Sequence, residues 1–259
     1  MKQPLTWYGG KQRLSKHIIS LIPEHQIYTE SFFGGGSIFF NKEPAKCEII
    51  NDLNGNLINF YQVLKTDFDE LKKEVDKTLY SRDEFDYARF IYHYPNFFDN
   101  IKRAWALWYL TYTTYCSKMD DTFITETSGT YTRRFKFSKE NFISELSNRF
   151  NTVIIENRNA LDIITKFDSE TTFHFVDPPY INTICGTYNN IFNESNLTQL
   201  LELLSTLQGK FILTSYHNDL IDDAIKKHGW NVKEVEHTVD SSGKNKKRVK
   251  ELIIYNYLL

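Results

Sequence analysis

Apolar positions along the chain change period several times, and the changes mark its elements. Short runs rich in β-branched and aromatic residues, bounded by turn formers, predict strands at 26–30, 46–50, 152–156, 172–176 and 210–214. Helical spacing takes over between them: Leu57, Phe60, Tyr61 and Leu64 open a mostly helical block over 56–150, and Leu197, Leu200, Leu201 and Leu204 share one face within 196–207. Strands alternating with helices predict a parallel sheet covered on both sides. The end differs, because 230–239 and 249–257 read as two strands joined by the polar stretch 240–248, a hairpin. The expected fold is α/β, a doubly wound sheet closed by an antiparallel edge hairpin. Its opening reads strand, glycine loop, helix, strand.

A chain of 259 residues corresponds to one large domain or a domain carrying a second, at about 100 to 200 residues each. Neither a repeat nor a Pro/Gly/Ser linker separates sequential domains, so the helical block is expected as an insertion: 1–58 and 150–259 as one domain, 59–149 as the insert. With 41% hydrophobic residues, 11 Gly and 6 Pro, the composition is that of a globular protein. Lys+Arg number 31 against 33 Asp+Glu, so any polyanion site must be a local patch. Cys47, Cys116 and Cys185 are odd in number and far apart, which fits ordinary thiols in a reducing compartment. No apolar run approaches the roughly 18 residues of a membrane span, and the start lacks the apolar stretch of a signal peptide. The expectation is a cytoplasmic protein without a membrane partner.

In open α/β sheets ligands sit beyond the carboxyl ends of the strands, so the turns there are the candidate sites. Gly34-Gly35-Gly36-Ser37 follows the first strand and would let a ligand touch the main chain, or it is only a tight turn. The dinucleotide fingerprint fails because Phe39 stands where its third glycine would be. A P-loop fails because Gly9-Gly10-Lys11 is followed by Gln12. A nucleoside cofactor without a demanding phosphate survives. Asp52, after the second strand, suits the hydroxyls of a ribose, or caps the next helix. Asp177-Pro178-Pro179-Tyr180 ends the apolar strand at 172–176. Adjacent prolines stiffen that turn, remove a competing amide N–H and aim Asp177 and Tyr180 into the crevice. His and Cys show no metal-ligand spacing, so no metal is expected.

Taken in order, these pieces resemble the amino methyltransferases that use S-adenosylmethionine, specifically the Dam-like DNA N6-adenine methyltransferases. Leu5-Thr6-Trp7-Tyr8-Gly9-Gly10-Lys11 is similar to the family's N-terminal cofactor motif, Glu30 to Ser37 to its glycine-rich motif, Asn51-Asp52-Leu53-Asn54 to its ribose motif and Asp177-Pro178-Pro179-Tyr180 to its catalytic motif. The resemblance covers most of the chain and implies a Rossmann-like methyltransferase sheet with an inserted target recognition domain. It implies cofactor contacts at Trp7, Tyr8, Gly9, Lys11, Phe32, Gly34, Gly36, Ser37 and Asp52, with Asn159 and Asp162 near the cofactor's adenine. Phe33 is expected in the core, and Asp162 reads equally as a helix cap. The catalytic set is Asp177, Pro178, Pro179 and Tyr180: the carboxylate and the Pro178 carbonyl accept the amine's hydrogens, and Tyr180 stacks on a base flipped out of the duplex.

Double-stranded DNA is the implied partner, and a companion restriction endonuclease fits this family. Candidate DNA contacts are Arg133, Arg134 and Lys136, interleaved with Phe135 and Phe137, and the hairpin residues Lys246, Lys247 and Arg248. Both sets also read as solvated faces. Where GATC-specific members carry Asn-Gly and Arg-x-Asn patterns, this chain has Thr113-Thr114-Tyr115-Cys116-Ser117-Lys118-Met119-Asp120-Asp121, so the resemblance does not imply a GATC target. Two other readings stay open: a catalytically silent DNA-binding regulator, and transfer to cytosine N4 or an RNA amine.

Overall fold

The computed structural model describes residues 1–181, 192–239 and 247–259, with only the backbone for Thr238, Val239 and Lys247. Its strands are β1 (Ile27–Glu30), β2 (Cys47–Asn51), β3 (Val153–Glu156), β4 (Thr172–Val176), β5 (Lys210–Ser215), β6 (Asn231–Val239) and β7 (Lys247–Tyr255). The helices are α1 (Ser15–Ile19), α2 (Gly55–Thr66), α3 (Phe68–Lys77), α4 (Arg82–His93), α5 (Asn100–Thr113), α6 (Thr130–Glu140), α7 (Glu145–Asn148), α8 (Ala160–Lys166), α9 (Glu194–Leu204) and α10 (Asp219–His228). They compose two compact units. One gathers Met1–Gln12, Gly34–Lys42 and Asp52–Asn157; the other gathers Arg13–Phe33, Glu43–Asn51 and Arg158–Leu259.

The second unit holds the sheet in the order β2-β1-β4-β5-β7-β6. Strands β2, β1, β4 and β5 run parallel. Strand β7 then turns antiparallel to both β5 and β6, the edge hairpin the sequence predicts. Strand β4 is buried at every residue, as a central parallel strand covered on both faces should be. One face carries Val176, Phe211, Leu213, Leu252 and Ile254 against Ile164 of α8, Leu197, Leu200, Leu201 and Leu204 of α9, and Ile221 and Ala224 of α10. The four leucines line up as their spacing requires. Helix α10 shows why it starts and stops: Asn218 caps it, and Gly229, at φ 64°, ends it shortly after Lys226 and Lys227, whose charges suit a helix C-terminus.

In the first unit α5 is buried from Ala104 through Thr113, so it is apolar on all sides and forms the centre. Two of its polar side chains are satisfied inside: Trp105 Nε1 donates to Thr78 Oγ1 at 2.7 Å, and the Tyr109 hydroxyl donates to the Ser81 carbonyl at 2.9 Å, whereas Trp108 Nε1 is buried without a partner. Phe135 of α6 and Phe142 pack on Trp108. Among the described residues no helix is long and apolar enough to cross a membrane.

One expected element does not form. After the glycine turn the chain makes only isolated turns, with Phe40 N bonded to Gly36 O and Lys42 N to Ile38 O, and no helix separates β1 from β2. Pro44 supplies the reason, because it pushes Glu43 away from helical backbone and leaves too few residues to propagate a nucleus.

Candidate active site

In the sheet unit the parallel register sets Val176 beside Leu213, so Asp177 emerges next to Thr214. The Thr214 hydroxyl, itself fully buried, donates to Asp177 Oδ1 at 2.6 Å. Pro178 is buried, while Asp177, Pro179 and Tyr180 are half-buried at the strand's carboxyl end. The bend has no cis peptide and no left-handed residue, so its shape comes from the proline rings rather than from backbone strain. The Tyr180 hydroxyl donates to Glu251 Oε1 at 2.5 Å, and its ring meets Tyr216 edge to face at 4.8 Å. Burial, then the nearby Asp177 and Glu251 charges, push the Tyr180 phenol well above its ordinary value. It is therefore a donor and a flat apolar surface rather than a base. An acidic acceptor and an aromatic face one bend apart suit an amine on a planar ring.

Behind the bend, Glu251 is buried on β7 and its Oε2 lies 2.7 Å from His237 Nε2 on β6. None of Thr214, Tyr216, Glu251 and His237 belongs to the motif, and sequence reasoning passed over all four. A signal for Glu251 was present: it is an acidic residue directly before the apolar run Leu252 to Tyr255. Also in this unit, Phe33 is buried and Phe32 half-buried, its ring edge-on to Phe192 at 6.0 Å. Asn159, not Asp162, caps α8 by accepting from Leu161 N at 2.9 Å, and Asp162 sits exposed in the first turn, where its charge favours the helix.

The first unit brings together Trp7, Gly34 and Asp52. Asp52 Oδ2 accepts from Gly34 N and its Oδ1 from Asn54 N, both at 2.9 Å, while Asn54 caps α2. The helix-cap reading of Asp52 thus gives way to a clasp on the glycine turn. Burial is the largest influence on its carboxyl and lifts it above the ordinary range, against the pull of the Asn54, Gly34 and Leu53 amides. Gly34 has φ +50°, and a Cβ there would lie 2.7 Å from Trp7 Cδ1; one at Gly35 would lie 2.9 Å from Trp7 Cβ. At Gly34 the room left by the missing side chain is taken by the Trp7 indole, and at Gly35 by Trp7 Cβ and by Gln3 Nε2 at 3.1 Å, as the tight-turn reading of these two glycines expects. Gly36 is also left-handed, at φ +66°. Lys11 is buried with its ammonium 2.9 Å from the Gly9 carbonyl, Tyr8 is half-buried under Lys118 Nζ at 5.0 Å, and Ser37 is buried with its Oγ lacking a partner.

On α6, Arg133, Arg134, Lys136 and Phe137 are exposed, whereas Phe135 turns inward to the core. Arg133 Nη2 donates to the Ser128 carbonyl, Arg134 lies over Tyr131, and Lys136 pairs with Glu140 at 3.6 Å. Arg248 is exposed, 3.8 Å from Glu236. Lys246, the side chain of Lys247 and Cys185 lie outside the described residues. Cys47 is a free thiol. Cys116 and Ser117 take left-handed backbone (φ 52° and 57°), an uncommon pair for residues with side chains, in the segment where the chain departs from the GATC-type pattern.

A largely parallel sheet with a terminal antiparallel hairpin, bearing an Asp-Pro-Pro-Tyr bend at a central strand's carboxyl end, defines a Rossmann-like amino methyltransferase. The sequence profile of the D12 class N6 adenine-specific DNA methyltransferases matches residues 7–240, and the chain belongs to that family. It is 26% identical to the type II methyltransferase M.MjaIII of Methanocaldococcus jannaschii, over 99% of both chains. It is 44% identical over 71 residues to the type II methyltransferase M1.LlaDCHI of Lactococcus lactis, 27% of this chain and a quarter (25%) of that relative's length. With the DNA adenine methylase of Vibrio cholerae it shares 41% identity over 63 residues, 24% of this chain and 22% of the relative.

Proposed function

We propose that the protein is a site-specific modification enzyme that methylates the N6 amine of an adenine flipped out of duplex DNA, with S-adenosylmethionine as cofactor. The observation that carries this reading is the bend at the end of β4, where Thr214 holds one oxygen of Asp177 and Tyr180 presents its ring one turn away.

The cofactor fits the residues of the first unit by the chemistry of its polar groups. Asp52 has lone pairs to share with ribose hydroxyls, and the buried, unpartnered Ser37 hydroxyl with the Lys11 ammonium suits an amino-acid tail. Trp7, Tyr8, Gly9, Gly34 and Gly36 shape that turn; Phe32, Asn159 and Asp162 are the adenosine contacts that the family resemblance implies. When bound, the cofactor supplies an electrophilic methyl on a sulfonium. The chain's own contribution is to the nucleophile. The lone pair of adenine N6 is delocalised into the ring, so hydrogen bonds from its two N–H groups to Asp177 and to the Pro178 carbonyl favour a tetrahedral, reactive nitrogen. Pro179, which has no amide N–H, leaves that carbonyl uncontested, and Tyr180 stacks on the base against the few kcal/mol that extrusion costs.

Residues 59–149 would act as the target recognition domain, with Arg133, Arg134 and Lys136 on phosphates, joined by Lys246, Lys247 and Arg248 of the hairpin. The names of several relatives, type II methyltransferases, support a companion endonuclease that cuts the same site when unmodified. The test is transfer of labelled methyl from S-adenosylmethionine to unmethylated duplex DNA and to single-stranded RNA, with protein-free reactions as controls. Label in the duplex alone is expected; label in RNA alone, or cofactor binding without any transfer, would replace this reading.

A further inference from the structure

Tyr180 raises a question that stacking does not answer. A phenylalanine ring offers the same flat surface to a base, so the hydroxyl of Tyr180 needs another task. The sheet register shows which. Thr214 faces Ile253, Glu251 stands two residues along β7 on that same face, and His237 pairs with Val249, again two residues from Glu251. Thr214, Glu251 and His237 therefore project from one face of three adjacent strands, beneath the Asp177–Tyr180 bend. Glu251 is 3% exposed, and a carboxylate so buried persists only if its oxygens are bonded. Tyr180 donates to one oxygen and His237 meets the other. His237 Nδ1 is buried without a partner, so the ring is best assigned with its proton on Nε2, donating to Glu251, since an unpaired lone pair is a smaller loss than an unpaired N–H.

We infer that Glu251, backed by His237, is a positioning residue that fixes the plane of the Tyr180 ring for the flipped base. This rests on the function proposed above. The two strands that carry the pair form a continuous antiparallel ladder, so the anchor is stiffer than the bend it holds. A ring already locked before DNA arrives loses little freedom on stacking, and the amine comes to Asp177 at a fixed height. The contact works through Tyr180 and reaches neither the amine nor the cofactor itself.

The test is a set of variants of the full chain, assayed on unmethylated plasmid DNA with kcat, the KM for DNA and cofactor affinity measured separately. Glu251→Leu keeps the volume and removes the acceptor; Tyr180→Phe removes the donor. Each should lower kcat about ten- to a hundredfold, with S-adenosylmethionine affinity within about twofold of wild type. The double variant should be no worse than the worse single, because both cut one contact. Glu251→Gln keeps an amide oxygen to accept from Tyr180, although its amide N–H toward Nε2 would force the His237 proton onto the unpartnered Nδ1, so it should be slower than wild type but at least about threefold faster than Glu251→Leu. Wild-type kcat in Tyr180→Phe, losses that multiply in the double variant, or a Gln variant as slow as the Leu variant would each overturn the inference. If Glu251→Leu loses cofactor binding through misfolding, Tyr180→Phe and Glu251→Gln still decide. Wild-type protein that leaves the plasmid unmethylated defeats the proposed function first, an outcome distinct from active wild type with indifferent variants.

Discussion

The Asp177–Tyr180 bend and the Gly34–Gly36 turn both follow a strand, yet they are held together differently. In the bend, the motif's side chains carry the proposed chemistry, and residues from outside it, Thr214 and Glu251, hold them. In the glycine turn the motif's letters largely serve the protein itself: Gly34 and Gly35 make room for Trp7, and Asp52 clasps the turn through the Gly34 amide. The lesson is that equally short motifs encode different things. One names the groups proposed to react, whose supports are hidden elsewhere in the chain; the other largely names supports.

Substitutions in the two regions should therefore fail in opposite ways. The largest effect is expected for Asp177→Ala, which removes the charged acceptor. Methyl transfer should fall by about 10³-fold or more, as for loss of a main electrostatic contact, while calorimetry finds cofactor affinity little changed. Gly34→Ala should do the reverse. Its Cβ would strike the Trp7 indole at 2.7 Å from a left-handed backbone, so urea denaturation should show a loss of about 2 kcal/mol, with weakened cofactor binding and a surviving kcat at saturation. If Gly34→Ala is as stable as wild type, the packing role assigned to the turn is wrong.

Smaller changes sharpen the contrast. Thr214→Val keeps the shape of its side chain but removes the bond to Asp177, and single-turnover rates should drop about tenfold, the value of one hydrogen bond to a charged group. The smallest effects belong to the exposed basic residues. Arg133→Ala should weaken DNA binding across sequences and reduce the slope of log affinity against log salt by about one, with kcat unchanged at saturating DNA. An unchanged slope would return α6 to the role of a solvated face.

How far the sequence disclosed all this follows from what each signal depends on. Strand β4 was legible because its apolar run and the following Asp-Pro-Pro bend are local. The four leucines of α9 likewise pointed to their own face. The helix expected after the glycine turn failed because Pro44, near its far end, outweighed the motif's usual continuation. Thr214, Glu251 and His237 could not be assigned from the sequence, since they meet the bend only through strand register across β4, β5, β7 and β6, up to 71 residues away in the case of Glu251 and Tyr180. Asp52 carried two local readings, and only the observed contacts showed the carboxylate bonded to Gly34 and Asn54 and the capping done by Asn54.

The account turns on what atom the bend of Asp177 and Tyr180 presents for methylation. Mass spectrometry of nucleosides from unmethylated duplex DNA, after incubation with the wild-type protein and S-adenosylmethionine, answers that directly. The expected product is N6-methyladenine and no other methylated base. Methyl found on cytosine N4, or no methylated nucleoside at all from protein that binds the cofactor, would contradict it.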